Sequence, residues 1–275
     1  MDMSVVVLVL VAGVVQSTQA ATCGVANSYR IIGGTVSTPC QFPWMVFIYN
    51  SYYSKMCGGS IIDQTHILTA AHCVLNTDKA TNKTYTTPPS GIFVYSGTSS
   101  MDISINLDGA IKRNVISIAF HEYYNPDPII NDVAVLTLST PIVYDRCHTP
   151  VCLANGTKTP QMATGCKAMG WGRTIGYSTG PISTNLLWVD MPIASDATCQ
   201  STYGPNFNGK NFCAGAVDKN ICAGDSGGPL VCKESDGRYY QYGIMSATQG
   251  DCHVPNALFT KVSSFLPWIN GKTVG

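Results

Sequence analysis

Twelve cysteines are spread through this 275-residue chain, and they follow an apolar leader. Residues Val5 to Val15 form the apolar run, and Gln16-Ser17-Thr18-Gln19-Ala20 comes after it. The run is too short to span a bilayer. It reads as a secretory signal over residues 1–20, cleaved after Ala20 with Ala21 as the alternative site, although its first residues lack Lys and Arg. A buried N-terminal strand is the bland reading of the same run. An exported chain meets an oxidising compartment, where cysteines are expected in disulfides. No Cys-x-x-Cys pair occurs, which argues against a zinc site. Spacing alone does not choose the pairing.

The formal charge is zero, with 16 basic and 16 acidic residues. No cluster of Lys and Arg suggests a nucleic-acid footprint. No second segment is long and apolar enough for a membrane span. Beyond the leader, short apolar runs rich in Val, Ile and Tyr alternate with Gly, Pro, Asn and Ser clusters. Trp44–Tyr49, His66–Ala70, Val133–Leu138, Tyr242–Ser246 and Ala257–Val262 are examples. Many short strands at this spacing predict an all-β sandwich or barrel. Only residues 262–269 have the pattern of a short helix with an apolar face.

Three motifs carry chemistry. Gly224-Asp225-Ser226-Gly227-Gly228-Pro229 sets a serine in a tight glycine loop, where its hydroxyl is exposed and backbone N–H groups turn toward a reacting carbonyl. A bare Gly-x-Ser-x-Gly is often only a turn. Thr69-Ala70-Ala71-His72-Cys73 supplies a histidine, and Asn131-Asp132-Val133-Ala134-Val135-Leu136 an aspartate heading an apolar run. The order His, Asp, Ser is one in which a nucleophilic triad is assembled.

With Ile31-Ile32-Gly33-Gly34, Gly170-Trp171-Gly172 and Pro267-Trp268-Ile269, these make six ordered motifs. From about Arg30 to the C-terminus the chain resembles the chymotrypsin family of secreted serine endopeptidase zymogens. The resemblance implies two six-stranded antiparallel β-barrels with the active site between them. They would span about 44–138 and 164–262, with a C-terminal helix over about 262–271 packed on the first. Residues 21–30 would be a propeptide and 31–275 the protease domain. His72, Asp132 and Ser226 would be the triad, with the oxyanion hole made by the N–H groups of Gly224 and Ser226. Cleavage between Arg30 and Ile31 would free an α-ammonium to pair with Asp225; alone, that residue reads as a turn aspartate.

The resemblance also implies the disulfides Cys57–Cys73, Cys166–Cys232, Cys199–Cys213, Cys222–Cys252 and Cys23–Cys152. The two remaining cysteines, Cys40 and Cys147, are expected to pair with each other. The base of the primary pocket falls on Asn220, six residues before Ser226, where trypsin-like members carry an aspartate. The pocket wall falls on Ser246, Ala247 and Thr248, and the opposite wall on Ala257, with Asn256 as the alternative. Wide pockets in the family use glycine where Thr248 stands, and usually tryptophan where Ala247 stands. A narrowed, uncharged pocket for small to medium apolar side chains, an elastase-like preference, is therefore expected, with a chymotrypsin-like preference for Leu, Met or Phe as the alternative and broad selectivity in either case.

Two sequons, Asn82-Lys83-Thr84 and Asn155-Gly156-Thr157, are candidate glycosylation sites. The expected partners are protein or peptide substrates, an activating trypsin-like protease and protein inhibitors. Nucleic acid and membrane are not expected, nor are a cofactor or a metal, and the chain is expected to be a monomer. Two other readings compete. One is a narrow regulatory or venom protease; the other is a protease-like binding protein without turnover, since a fold does not guarantee its function.

Overall fold

The computed structural model describes residues 22–27, 36–78, 81, 83–101, 110–174, 180–250, 252 and 254–274. The signal, Arg30, Ile31, Gly33, Gly34 and Asn82 lie outside the described residues. The N-terminal half contains β1 (Met45–Asn50), β2 (Lys55–Ile61), β3 (His66–Thr69), the one-turn helix α1 (Ala71–Val74), β4 (Leu75–Asp78) and β5 (Lys83–Thr86). It continues through β6 (Ile92–Ser96), β7 (Ile111–Phe120), the short pair β8 (Asn125–Pro126) and β9 (Ile129–Ile130), and β10 (Ala134–Leu138). The C-terminal half contains β11 (Cys152–Leu153), β12 (Cys166–Gly170), β13 (Leu187–Asp190), α2 (Asp196–Tyr203), β14 (Asn211–Ala214), β15 (Pro229–Lys233), β16 (Tyr239–Ala247), β17 (Ala257–Lys261) and α3 (Leu266–Thr273).

Six strands close a barrel in the order β1-β2-β3-β10-β7-β6, every pair antiparallel. Val46, Ile48, Ile61, Ile67, Leu68, Ile92, Val94 and Leu136 fill it. Alternation along each strand sends every second side chain inward, so such Val- and Ile-rich runs can form strands and core together. Val262, Phe265 and Ile269 belong to the same core. The turn before α3 and the helix itself thus pack back on the first barrel, far along the chain.

The second sheet runs β13-β12-β15-β16-β17-β14. It curls until Ile193, just past β13, bridges Ala214 of β14. It departs from six antiparallel strands in one respect: β11 adds to β16 in parallel, Cys152 opposite Tyr240. Two residues suffice, because Cys152 is also held covalently by Cys23. Phe212 stacks on Phe259 at 5.5 Å in this sheet's core.

The halves meet along a seam of Trp44, Met45, Met169, Trp171 and Val231. A buried hydrogen bond crosses it, from Ser60 Oγ to Gln241 Oε1 at 2.6 Å. The five disulfides that the resemblance implies are formed, and so is Cys40–Cys147 between the two remaining cysteines.

Candidate active site

His72 lies on α1, a single turn bounded by the extended residues Ala70 and Leu75. So short a helix has little stability of its own. It is fixed to β2 by the Cys57–Cys73 bridge. Its carbonyls are all taken: Leu75 N–H donates to Ala71, Lys55 Nζ to His72 at 2.6 Å, Asn50 Nδ2 to Cys73 at 3.4 Å and Thr87 N–H to Val74 at 2.9 Å.

Asp132 follows Asn131, which turns the chain with φ +55°, a conformation asparagine tolerates better than most residues. Asn131 Nδ2 donates to the Tyr123 carbonyl at 2.7 Å and fixes the turn. The Asp132 side chain is 1 % exposed and that of His72 20 %. Asp132 Oδ1 accepts the His72 backbone N–H at 2.9 Å. Its Oδ2 lies 2.7 Å from His72 Nδ1 and accepts from Ser246 Oγ at 2.6 Å. From β17, Thr260 Oγ1 donates to the Asp132 carbonyl at 2.9 Å. Burial pushes the Asp132 carboxyl up, but the charge of His72 and the hydrogen bonds from His72 and Ser246 outweigh it, and the net direction is down. An ionised carboxylate accepts only, so Nδ1 carries the proton of a neutral His72 and Nε2 keeps its basic lone pair.

Ser226 comes from the other half of the molecule. Its loop is anchored by Cys222–Cys252 and by the Gly227 N–H donating to the Met245 carbonyl at 2.8 Å. The Ser226 carbonyl accepts from Gly58 N–H at 2.7 Å and lies 3.6 Å from Cys73 Sγ, next in sequence to His72. Asp225, Gly227 and Gly228 each donate their N–H to a backbone carbonyl. Among the described residues, Gly224 and Ser226 donate theirs to none. Gly224 has φ +104°, which a side chain would resist. The loop therefore offers two N–H groups with no internal acceptor beside a serine.

The carboxyl group of Asp225 is enclosed. Oδ1 accepts from Gly172 N–H at 2.7 Å and Oδ2 from Cys222 N–H at 2.8 Å. A Cβ at Gly170 or Gly172 would fall within 2.3 Å of its oxygens, so Gly170-Trp171-Gly172 is a cradle for this group. Among the described residues no cation pairs with it, and burial raises its pKa to about 6, against the pull of the two backbone hydrogen bonds.

A cavity of about 290 Å³ opens beside it, lined by Asp225, Asn220, Gly172, Trp188, Val189 and Met245 among others. Asn220 sits at its edge with both polar ends engaged. Nδ2 donates to the Val254 carbonyl, and Oδ1 accepts from Ile221 N–H at 2.9 Å. Ser246, Ala247, Thr248 and Ala257 do not line this cavity. Ser246 turns to Asp132 instead, and Ala257 is buried opposite Ala214. Sequence reasoning missed the contact of Ser246 with Asp132, and that of Lys55 with His72. Neither residue sits in a pattern that announces a long-range partner.

Among the described residues, the one cluster with the makings of a metal site is Cys57, His72 and Cys73. Both sulfurs are joined in a disulfide, so they offer no thiolate. Asn155 is exposed, and its Oδ1 accepts from Thr157 N–H at 3.0 Å and Thr157 Oγ1 at 2.8 Å, which leaves its amide nitrogen free to face solvent. Among the described residues no helix is long and apolar enough to cross a membrane.

A family model described as Trypsin matches residues 31–269. Chymotrypsin-C of Rattus norvegicus is 32% identical over 255 residues, covering 89% of this chain and 89% of its own. Chymotrypsin-C of Bos taurus is 31% identical over 255 residues, with the same coverage. Proclotting enzyme of Tachypleus tridentatus is 32% identical over 260 residues, 90% of this chain and 68% of its own. A histidine–aspartate couple, a serine loop with two unclaimed N–H groups and a match over nearly the whole chain all converge, and the chain belongs to the trypsin family of serine proteases.

Proposed function

We propose that this protease is secreted and hydrolyses internal peptide bonds through an acyl-enzyme. Ser226 Oγ attacks the scissile carbonyl carbon while His72 Nε2 accepts its proton. The tetrahedral oxyanion is held by the Gly224 and Ser226 N–H groups. Collapse expels the amine, which takes the proton from Nε2 and leaves an ester on Ser226. Water, deprotonated by Nε2, then releases the acid and restores the serine. The observation that carries this reading is the 2.7 Å contact of His72 Nδ1 with a buried Asp132 that also accepts from Ser246. It orients the imidazole, fixes its tautomer and stabilises the imidazolium formed at each transfer. The mechanism requires no cofactor.

Activation is cleavage between Arg30 and Ile31 by a trypsin-like protease. The new Ile31 ammonium enters the cavity beside Asp225 and supplies its missing charge. Two observations support this. Asp225 has no cation among the described residues. Val36 bridges Leu187, and Ser37 N–H donates to the Leu186 carbonyl at 2.7 Å, which holds the chain against a strand that lines the cavity. Five Cα-to-Cα steps separate Ile31 from Val36, a reach of at most about 18 Å. Cys23–Cys152 keeps the cleaved propeptide attached as a short light chain.

The primary pocket has Asn220 at its base, with the backbone of Ser246, Ala247 and Thr248 and the Ala257 side as walls, and accepts small to medium apolar residues. The self-satisfied Asn220 amide supports the uncharged base. The backbone of residues 246–248 pairs with the substrate as an added strand. Asn82 and Asn155 carry N-glycans, protein inhibitors dock in the same cleft, and the enzyme is a monomer.

The test is amide hydrolysis on peptides varied at the residue before the scissile bond, after trypsin cleavage at Arg30 and trypsin inhibition, with Ser226→Ala as control. Turnover after Ala, Val or Leu that is lost in the control supports the whole reading. Turnover only after Phe or Tyr keeps the mechanism and overturns the pocket. Absence of turnover with Arg30 cleaved overturns the protease reading in favour of a binding protein.

A further inference from the structure

The four carbonyls of α1 are satisfied in four ways, and three of the donors are neutral: two backbone N–H groups and the Asn50 amide. The fourth donor is the ammonium of Lys55, on the His72 carbonyl at 2.6 Å. Lys55 is two residues from Cys57 on β2, so one strand grips α1 twice, covalently at Cys73 and by charge at His72. The Lys55 side chain is partly buried, and among the described residues it forms no ion pair. A carbonyl would be adequately satisfied by a neutral donor, as its three neighbours are. A desolvated ammonium here calls for a reason beyond capping.

We propose that Lys55 is a positioning residue for the catalytic base: its charge-assisted hydrogen bond fixes the His72 backbone, and with it the imidazole that Asp132 orients. The proposal rests on the catalytic reading of His72 given above. Asp132 holds the imidazole and the backbone N–H of His72. Lys55 holds the carbonyl of the same residue. Burial lowers the pKa of Lys55 and the field of Asp132 raises it, which places the ammonium within electrostatic reach of the couple. The other titratable group facing Asp132 is Tyr124, whose phenol is pushed up by burial and then by Asp132 and stays neutral. Ser246 from β16 and Thr260 from β17 complete the surroundings of Asp132 and carry no charge.

The experiment compares Lys55→Met, Lys55→Gln and Lys55→Arg with the wild type, all cleaved after Arg30. Each is first titrated with a fluorophosphonate that labels Ser226, and kcat and KM are then measured across pH. Gln keeps a donor without charge, whereas Arg keeps the charge. In Met and Gln, kcat is expected to fall several-fold with KM nearly unchanged. In Arg, kcat is expected to stay near its wild-type value. Should Met fail to fold, the contrast of Gln with Arg decides alone. Labelling with the same kcat in every variant overturns the role of Lys55 and leaves the site reading standing. Failure of the wild type to label overturns the site reading, and this proposal with it.

Discussion

The backbone N–H of Gly58 donates to the carbonyl of Ser226 at 2.7 Å, so a strand of the first barrel holds the serine loop of the second. A Cβ at Gly58 would stand 2.9 Å from Gly228 Cα and 3.1 Å from Gly228 N, both backbone atoms that cannot swing aside. Gly58→Ala is therefore expected to displace the serine loop while the barrel folds. A displacement approaching 1 Å costs about a hundredfold in kcat. Kinetics alongside thermal unfolding check this, since a loss of kcat larger than the loss of stability is the expected signature.

Asp225 makes the uncleaved chain sensitive to pH. Its folded pKa is raised to about 6, so the protonated form favours the fold. The contribution is fully present below the carboxylate's ordinary value and is lost as pH rises through about 6. The loss is at most about 3 kcal/mol. Unfolding of the uncleaved Ser226→Ala chain should show stability falling across that window, and the added Asp225→Asn substitution should flatten the slope. After Arg30 cleavage the slope should flatten without any substitution, because the Ile31 ammonium then favours the ionised carboxylate.

Asp132 works in the opposite direction. Its pKa is lowered, so its stabilising contribution is present above the ordinary carboxylate value and is lost as pH falls through the folded one. Asp132→Asn should fold and lose about four orders of magnitude in kcat, because an amide does not hold the imidazole in the right tautomer. Ser246→Ala removes one hydrogen bond to the carboxylate and should cost about tenfold in kcat/KM. An amide-hydrolysis assay at constant Ser226 labelling separates the two magnitudes.

The bridges Cys23–Cys152 and Cys40–Cys147 join the same two stretches of chain. With the first in place, the second closes a loop of about two dozen residues rather than 107. Removing Cys40–Cys147 by double serine substitution is expected to cost about 3 kcal/mol in the uncleaved chain, less than its sequence separation alone implies. Denaturant unfolding of the single-bridge and double-bridge deletions measures the coupling.

Much of this architecture was legible in the sequence, and the reasons are local. Short Val- and Ile-rich runs between turn residues declare strands. The glycines around Ser226 declare a tight loop, and Asn131 before Asp132 is suited to the left-handed turn found there. What was not legible depends on which face a side chain takes after folding. The resemblance puts Ser246 on the pocket wall. Side chains alternate, however, and Met245 faces the cavity while Ser246 faces Asp132. The parallel pairing of β11 with β16 and the grip of Lys55 on α1 join residues that share no sequence pattern. The closed first barrel and the return of α3 to its core followed from the resemblance rather than from periodicity.

Cys23 lies upstream of the proposed cut and Cys40 downstream, and both are tethered within a six-residue stretch, Cys147 to Cys152. Cleavage at Arg30 would therefore release nothing. The protein gains one water in mass and changes its topology from one chain to two without losing a residue. A non-reducing gel would be blind to activation, and the same sample under reducing conditions would show it.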